Sequence, residues 1–214
     1  MLVSVIIPNY NYARYLDRVL RSVLNQSVSK NQYEIILVDD ASTDNTKEVL
    51  KKYDGLIKII WLKKNVGLAE SRNIGIKKAL GMFVVFIDAD DYVHNDLLKV
   101  QELFLTENNK LDAVAVDYYL VNERGDHIEW LSSEKKPIAC GIMFRKDLLY
   151  DIGLYDKNFK AREDEDLRIR FMKKYSIYNI ILPLYRYRRH DSNLTNNESE
   201  MAKYSRLLKK KHKK

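Results

Sequence analysis

The first half of the chain alternates between short apolar segments and longer segments with helical spacing. Four apolar segments predict β-strands, at residues 2–7, 34–38, 57–62 and 82–87. Three amphipathic segments between them predict helices, at residues 14–26, 43–53 and 68–80. Strands that are apolar throughout are typical of a parallel sheet covered by helices on both faces. The pattern therefore predicts an α/β fold with a mostly parallel central sheet flanked by helices.

The second half is less regular and predicts a smaller β element beside that sheet. Further strands are expected at residues 111–116, 118–121, 127–131, 138–144 and 177–188. Further helices are expected at residues 94–108, 146–152 and 165–174. The strands on either side of Gly125 are predicted to form a hairpin, with this glycine in its turn. Because no linker-like stretch interrupts residues 1–198, we expect one domain there, with halves at 1–91 and 92–198.

The net charge of +7 comes from one end of the chain. The 214 residues contain 37 Lys and Arg against 30 Asp and Glu, and seven of these bases lie in the last fourteen residues, which hold no acid. The body of the protein is therefore neutral. Since nucleic-acid binding needs a basic face, we expect no nucleic-acid partner.

Residues 199–214 form a basic tail with its own pattern. Met201, Tyr204, Leu207 and Leu208 recur at helical intervals, which predicts an amphipathic C-terminal helix. Its apolar stripe can dock on the body of the protein, or the helix can lie on an anionic membrane. We favour docking, and peripheral membrane contact through 199–214 is the alternative.

The cysteine content and the lengths of the apolar runs bear on location. Cys140 is the one cysteine, so an internal disulfide is impossible and a reducing compartment is favoured. The apolar start of the chain is too short for a signal peptide, and no run approaches the roughly 18 apolar residues of a membrane span. We therefore expect a cytoplasmic protein, in contact at most with the inner face of the membrane.

Acidic residues cluster where two predicted strands end. Asp39 and Asp40 follow the second strand, and Asp88, Asp90 and Asp91 follow the fourth. Ligands of open α/β sheets bind beyond the carboxyl ends of the strands, so both clusters are expected to face one pocket. Neighbouring carboxylates repel one another unless a cation neutralises them, and oxygen ligands suit Mg²⁺ or Mn²⁺. The alternative is that these aspartates form turns and helix caps, and for the second cluster we favour the metal.

Several motifs together resemble a known enzyme family. In chain order they are Val5-Ile6-Ile7-Pro8-Asn9-Tyr10-Asn11, Val38-Asp39-Asp40-Ala41-Ser42-Thr43-Asp44, Asn65-Val66-Gly67-Leu68-Ala69 with Arg72-Asn73, Phe86-Ile87-Asp88-Ala89-Asp90-Asp91, Gly141-Ile142-Met143-Phe144-Arg145, Gly153-Leu154-Tyr155-Asp156 and Glu163-Asp164-Glu165-Asp166-Leu167. Their ordered combination, over roughly residues 2–195, resembles the family 2 glycosyltransferases of the inverting GT-A type. The resemblance implies the Rossmann-like GT-A fold, with a nucleotide-sugar half at 1–91 and an acceptor half at 92–198.

The resemblance implies a set of donor-binding residues. The base and ribose of a nucleotide sugar are expected at Pro8, Asn9, Tyr10, Asn11 and one of Asp39 and Asp40. Other residues expected near the donor are Asn65, Arg72, Asp88, Ala89 and Asp90. For Arg72 the alternative is an ordinary solvated position on a helix.

The resemblance also implies a divalent metal, Mn²⁺ or Mg²⁺. Asp88-Ala89-Asp90 forms the D-x-D motif, in which Asp90 binds the ion and Asp88 reaches the ion or the ribose. His190 is a third candidate metal ligand, because family members often carry a histidine in this part of the chain. The alternative for His190 is a surface position, and Asp91 is expected to support the loop.

Inverting transfer needs a base that takes the proton of the acceptor hydroxyl. The candidate implied by the resemblance is Asp164, at the start of a predicted helix. Four acids are adjacent there, and helix N-termini favour carboxylates in any case, so Asp166 is the alternative base.

These observations predict a metal-assisted glycosyltransferase that moves one sugar, from a UDP-sugar by family frequency, in surface polysaccharide or glycoconjugate synthesis. The Gln-x-x-Arg-Trp signature of processive synthases is absent from the sequence. The acceptor is expected to be a glycan, a lipid-linked sugar or a protein. The competing functions are a sugar-phosphate nucleotidyltransferase and a catalytically silent nucleotide-sugar binding module.

The acceptor region is the least readable part of the sequence. Tyr118, Tyr119 and Trp130 can stack on a sugar or fill a core, and we expect core positions for all three.

Overall fold

The computed structural model describes residues 2–212. Within them the chain forms nine strands: β1 (Val3–Asn9), β2 (Tyr33–Asp39), β3 (Lys58–Trp61), β4 (Phe83–Phe86), β5 (Tyr92–Val93), β6 (Ala113–Val121), β7 (His127–Leu131), β8 (Ile142–Arg145) and β9 (Ile177–Arg188). The α-helices among these residues are α1 (Ala13–Leu24), α2 (Thr46–Leu50), α3 (Leu68–Lys78), α4 (Leu97–Glu107), α5 (Lys146–Asp151), α6 (Glu163–Met172) and α7 (Glu198–His212).

All these strands belong to one sheet with the order β3-β2-β1-β4-β8-β6-β9-β5, and β7 pairs with β6. The first four strands along the chain are mutually parallel where they pair, β8 is antiparallel to β4 and to β6, and β9 is parallel to β6. The predicted mostly parallel sheet flanked by helices is confirmed. The carboxyl ends of β1, β2 and β4 meet at one edge of the sheet, and we call this edge the site edge.

The core runs through both halves of the chain. All seven residues of β1 are buried, and Leu16, Val19, Leu20 and Val23 of α1 are fully buried against the sheet. The same hydrophobic cluster includes Phe144 and Tyr185 from the second half. Residues 1–91 and 92–198 therefore share one core, and the division of function between them stays a prediction.

The predicted hairpin is confirmed, with one change in its first strand. Asn122 N donates to Asp126 O, and Gly125 has a left-handed φ of 96° in the turn. The separate strands predicted at 111–116 and 118–121 are one strand, β6. Asp117, which suggested a break, is buried and accepts hydrogen bonds from Ser133 N and the side chains of Trp130 and Asn179.

Two other elements differ from prediction. The helix predicted at 43–53 is shorter, because α2 covers Thr46–Leu50 and a 3₁₀ turn follows at Lys51–Tyr53. The sequence analysis also missed β5. This strand has two residues and pairs with β9, and so short a segment has no readable periodicity.

Helix α7 docks on the body of the protein. Tyr204 and Leu208 are buried in a small cluster with Phe159 and Ala161. Docking, the favoured alternative for the tail, is therefore what the structure shows for residues 199–212, and residues 213–214 of the tail lie outside the described residues. Membrane contact stays a prediction, and while α7 is docked it would have to use the exposed basic side. Within residues 2–212 no helix has the length and apolar character needed to cross a membrane.

Two adjacent leucines test the docking of α7. Leu208 is 8% exposed and Leu207 is 36% exposed. We expect Leu208→Ala to lower the free energy of unfolding by about 2–3 kcal/mol, because it removes a packed side chain. The control Leu207→Ala should change it by less than about 0.5 kcal/mol. Urea unfolding with hydrogen exchange of the α7 amides measures both, and equal effects of the two variants would contradict this docking.

Candidate active site

The loops after β1 and β2 are held together by a buried hydrogen-bond network. Asn9 Nδ2 donates to Asp39 Oδ1 at 2.8 Å, and Ser42 donates to the same carboxylate through its backbone N and its Oγ. Asn11 Oδ1 accepts a bond from Thr43 N at 2.7 Å. Pro8 is buried within β1, whereas Tyr10 is 45% exposed at the site edge. The network fixes the shape of the loop that was predicted to bind the base and ribose.

Asp40 binds a different loop from Asp39. Its two carboxylate oxygens accept hydrogen bonds from Val66 N at 2.7 Å and Gly67 N at 2.8 Å, and Asn65 Nδ2 lies 3.4 Å from its carbonyl oxygen. Asp40 therefore holds the loop that leads into α3. Asp39 and Asp40 are both almost fully buried, and the choice between them as a contact to the base stays a prediction.

Arg72 lies beneath the site edge and joins two acidic segments. It is completely buried, so the alternative of a solvated helix position is wrong. Its Nη2 lies 2.9 Å from Asp88 Oδ1, and its Nη1 lies 2.6 Å from Glu163 Oε1. One guanidinium thus connects the D-x-D loop to the first residue of α6. The next residue, Asn73, exchanges two hydrogen bonds with the backbone of Tyr155.

The aspartates of the D-x-D loop differ in exposure. The side chain of Asp88 is 26% exposed, that of Asp90 is 12% exposed, and Ala89 between them is buried. Burial and the charge of Asp88 raise the pKa of Asp90. Asp91 is buried and accepts bonds from Tyr185 Oη at 2.6 Å and Arg188 N at 2.7 Å. These bonds give Asp91 the loop-supporting position that the sequence predicted.

The structure brings His190 to the D-x-D loop. Its Nε2 lies 2.9 Å from Asp90 Oδ2 and its Nδ1 lies 2.9 Å from Ser192 Oγ. The imidazole packs on Tyr15, with ring centroids 5.0 Å apart, and is 7% exposed as a residue. The surface alternative for His190 is therefore wrong.

Two carboxylates and an imidazole at the D-x-D loop have the donor chemistry that divalent cations take. Asp88 and Asp90 belong to one loop, and His190 contacts Asp90. Burial, and after it the charge of Asp88, raises the pKa of Asp90, and a nearby cation would oppose both effects. Among residues 2–212, no cluster of three or more acidic, histidine or cysteine side chains is arranged to hold a metal alone. This pattern suits Mg²⁺ or Mn²⁺, which take their remaining ligands from water and substrate phosphates.

The four acids at the start of α6 have separate environments. Glu163 pairs with Arg72, and Glu165 pairs with Arg162 at 2.6 Å. Asp164 is partly exposed, and it has no hydrogen-bond or ion-pair partner within the described residues 2–212. It lines a small cavity with Ile142 and Phe144, among other residues.

Asp166, the alternative base, is fully buried between cations. It lies 2.8 Å from Arg170 Nη2, 2.7 Å from Lys211 Nζ and 2.9 Å from His212 Nε2. Burial alone would raise the pKa of Asp166, but its bonds to Lys211 and His212 outweigh burial and lower it. Asp166 thus anchors α7 to α6, and this position argues against its use as a base.

Comparisons with known proteins identify the family of the chain. Residues 4–176 match the family described as Glycosyl transferase family 2. The chain belongs to this family. It is 35% identical to the poly(ribitol-phosphate) β-N-acetylglucosaminyltransferase TarP of Staphylococcus aureus over 79% of this chain and 52% of TarP. It is also 35% identical to an uncharacterized glycosyltransferase of Rickettsia conorii, over 95% of this chain and 35% of that protein. The chain thus spans about a third to a half of these relatives.

Solved structures of other glycosyltransferases share the fold. The structure of S. aureus TarS 1–349 in complex with UDP-GlcNAc has a TM-score of 0.82 and 25% identity, covering 97% of this chain and 65% of that one. The Pyrobaculum calidifontis mannosyltransferase PcManGT, in complex with GDP-Man and Mn²⁺, has a TM-score of 0.77 over 98% of this chain and 63% of that one, at 20% identity. The predicted GT-A fold is confirmed for this family 2 chain.

Sequence analysis missed part of the loop support in this family 2 chain. Arg188 is buried and donates to Asp90 O at 2.7 Å and to Glu123 O in the hairpin turn. Asn193 Nδ2 bonds both Arg188 O and Asp90 Oδ2. Tyrosine and arginine alternate along the predicted strand from Tyr185 to Arg188, and this pattern was the signal in the sequence that pointed to Arg188. Nothing in the sequence distinguished Asn193 from other loop residues.

The environment of Glu163 predicts a pH dependence of stability. Burial outweighs the nearby Arg72 and raises the pKa of Glu163 from 4.5 to about 7. Between these two pH values the folded state binds more protons than the unfolded state, so this group makes stability fall as pH rises from about 4.5 to 7.

The variant Glu163→Gln removes this titration. We therefore expect the free energy of unfolding of the wild type, relative to Glu163→Gln, to decrease over that pH interval. Glu165→Gln is the control, because Glu165 is partly exposed and its pair with Arg162 lies outside the buried site. Denaturant unfolding at several pH values measures the difference, and parallel pH profiles for wild type and Glu163→Gln would contradict the assignment.

Proposed function

We propose that the chain is a glycosyltransferase that moves one sugar from a UDP-linked donor to an acceptor hydroxyl with inversion. The observation that carries this proposal is the position of Asp164. Among the acids in the first turn of α6, Asp164 is the one that has no hydrogen-bond or ion-pair partner within the described residues. Glu163, beside it, pairs with Arg72, which also pairs with Asp88. An unpaired carboxylate on a helix that Arg72 ties to the D-x-D loop suits a base beside a donor site.

The donor is proposed to lie along the site edge. The loop of Pro8, Asn9, Tyr10 and Asn11 borders the base, with Asp39 or Asp40 below it. The other residues proposed for the donor site are Asn65, Asp88, Ala89 and Asp90, with the completely buried Arg72 beneath them. The UDP-GlcNAc complex of TarS supports a UDP-sugar, and an N-acetylhexosamine is the favoured sugar.

A divalent cation is proposed at Asp88, Asp90 and His190, and the Mn²⁺ complex of PcManGT is consistent with it. When bound, such an ion stabilises the negative charge of a departing nucleoside diphosphate. His190 is held by Ser192 and Tyr15, so its ring presents a fixed direction to Asp90. The choice between Mn²⁺ and Mg²⁺ stays open.

Asp164 is proposed to accept the proton of the acceptor hydroxyl while that oxygen attacks the anomeric carbon from the face opposite the nucleotide. Arg72 and Glu163 hold the first turn of α6, and through it the backbone that carries Asp164. The acceptor is proposed to be a surface polysaccharide or another glycoconjugate, and TarP is likewise named for a polymeric acceptor. The cytoplasmic location also stays a prediction.

Two competing functions are less well supported. Nucleotidyltransferases of sugar phosphates usually open with a glycine-rich phosphate loop, and residues 8–12 contain no glycine. A silent binding module would have no use for an unpaired carboxylate at Asp164. An assay that detects transfer of a sugar from a nucleotide sugar to an acceptor would exclude both alternative functions.

The base is tested with a matched pair of variants. Asp164→Asn keeps the size of the side chain and removes its basicity, so we expect kcat for transfer to fall by about 10²–10⁴-fold while UDP-sugar binding is retained. Asp166→Asn should leave kcat much closer to the wild type, although it is expected to lower stability. Radiolabelled transfer from a panel of UDP-sugars, with thermal shifts for donor binding, measures this. Full activity of Asp164→Asn would refute the assignment.

The metal site is tested through His190. We expect Mn²⁺ to raise the melting temperature in the presence of UDP, because a ligand of the folded state alone stabilises it. His190→Gln should weaken the apparent Mn²⁺ affinity by about 10–100-fold. His94→Gln is the control, since the His94 side chain is 41% exposed and contacts Asp96 rather than Asp90. An unchanged Mn²⁺ titration in His190→Gln would remove this residue from the metal site.

A further inference from the structure

Trp130 is an exposed side chain held in a fixed orientation. It lies on β7, an edge strand whose first four residues are all exposed, and is itself 49% exposed. Its Nε1 donates a hydrogen bond to Asp117 Oδ2 at 3.1 Å. Asp117 is buried and also accepts bonds from Ser133 N and Asn179 Nδ2. The expected core position of Trp130 is therefore wrong, whereas that of Tyr118, which is 4% exposed, is right.

The strand register places Trp130 on the same face of the sheet as Asp164. Ala113 and Ala115 pair with Phe144 and Ile142, both of which line the small cavity with Asp164. The pairing of β6 with β9 shifts register at Asp117, but Ala115 pairs with Asn179, whose Nδ2 donates to Asp117 Oδ1. Asp117 therefore lies on the face of Ala115, and by alternation so does Tyr119. Tyr119 pairs directly with Trp130. The indole and the candidate base therefore share one face.

The register also places Trp130 at the level of the D-x-D loop. Tyr118, beside Tyr119, pairs with Tyr185 of β9. The Tyr185 hydroxyl bonds Asp91 Oδ2 at 2.6 Å and accepts from Asp88 N at 3.2 Å. Strand β7 is two strand positions from β9, which is about 10 Å.

Neighbouring rings enlarge the exposed aromatic surface. Tyr119 lies 6.1 Å from Trp130 between ring centroids, and His127 stacks on Tyr119 at 4.1 Å. Because the indole N–H is already used by Asp117, the free part of Trp130 is its apolar ring. Such a surface matches the C–H face of a pyranose ring whose hydroxyl groups are equatorial, and leaves those hydroxyls in water.

We propose that Trp130, flanked by Tyr119, is an acceptor subsite that stacks a gluco-configured pyranose unit of the acceptor glycan. The subsite rests on the proposed glycosyl transfer for its place in the reaction, since it lies beyond the sugar that would receive the new linkage at Asp164. Trp130 binds the acceptor and takes no part in proton transfer. Its loss weakens acceptor binding and leaves donor binding unchanged.

The two tryptophans of the chain provide a direct binding test with a matched control. Trp61 lies on β3 at the opposite end of the sheet and is 47% exposed, so it has the same access to solvent as Trp130. Chitotetraose is titrated at millimolar concentrations into Trp61→Phe, in which only Trp130 emits, and into Trp130→Phe, in which only Trp61 emits.

The expected result is a saturable change of Trp130 fluorescence and no change for Trp61. No change at Trp130, or an equal change at both tryptophans, overturns the subsite, the second because it shows non-specific stacking. This binding test needs no turnover. If Trp130 fluorescence responds saturably but no UDP-sugar binds, the subsite is kept and the proposed function is rejected. If a UDP-sugar binds but Trp130 fluorescence does not respond, the subsite is rejected and the proposed function is kept.

A kinetic comparison separates stacking from the hydrogen bond to Asp117. Trp130→Phe and Trp130→Leu both lose the indole N–H, but only phenylalanine keeps a ring. We expect Trp130→Leu to raise the acceptor KM about tenfold with the donor KM unchanged, and Trp130→Phe to stay near the wild type. Equal acceptor KM values for the two variants, at equal thermal stability, would contradict a stacking role.

Discussion

The site depends on one buried guanidinium. Arg72 lies in α3, and its two Nη atoms bind Asp88 of the D-x-D loop and Glu163 of α6. A buried charge is costly unless it is paired, so this arrangement holds only when all three segments are in place. Arg72 therefore couples the donor side of the protein to the helix that carries Asp164.

A second group of contacts completes the same loop from the other half of the chain. Asp91 is fixed by Tyr185 and the backbone of Arg188, while the Arg188 side chain reaches Asp90 O and the hairpin turn. On α6, cations of α6 and α7 neutralise Asp166. Most acids near the site are therefore engaged in structure. Asp164 has no partner within the described residues, and Asp88, although paired with Arg72, keeps a side chain that is 26% exposed.

Sequence analysis recovered most elements because their signals are local. Continuous apolar runs predicted the strands, and the glycine of the hairpin turn was recognisable. Strand β5 was not predicted, because it is too short to show a hydrophobic period. Strand β6 was divided at Asp117, because a buried aspartate looks like a strand terminator until its three hydrogen-bond donors are known. Sequence analysis placed Trp130 in the core for a similar reason, since hydrophobicity does not reveal which strand lies at an edge.

The sequence alone determined the α/β class, the order of strands and helices, and the family, because apolar periodicity and ordered motifs are properties of neighbouring residues. Tertiary structure decided which acids are free. Glu163 and Asp166 flank Asp164 closely in the chain, yet they are engaged by Arg72 of α3 and Lys211 of α7, and only folding brings those partners near. The same holds for His190, whose place beside Asp90 depends on strand pairing across a hundred residues. Long-range pairing of charges leaves no local pattern, and for that reason it had to be seen in the fold.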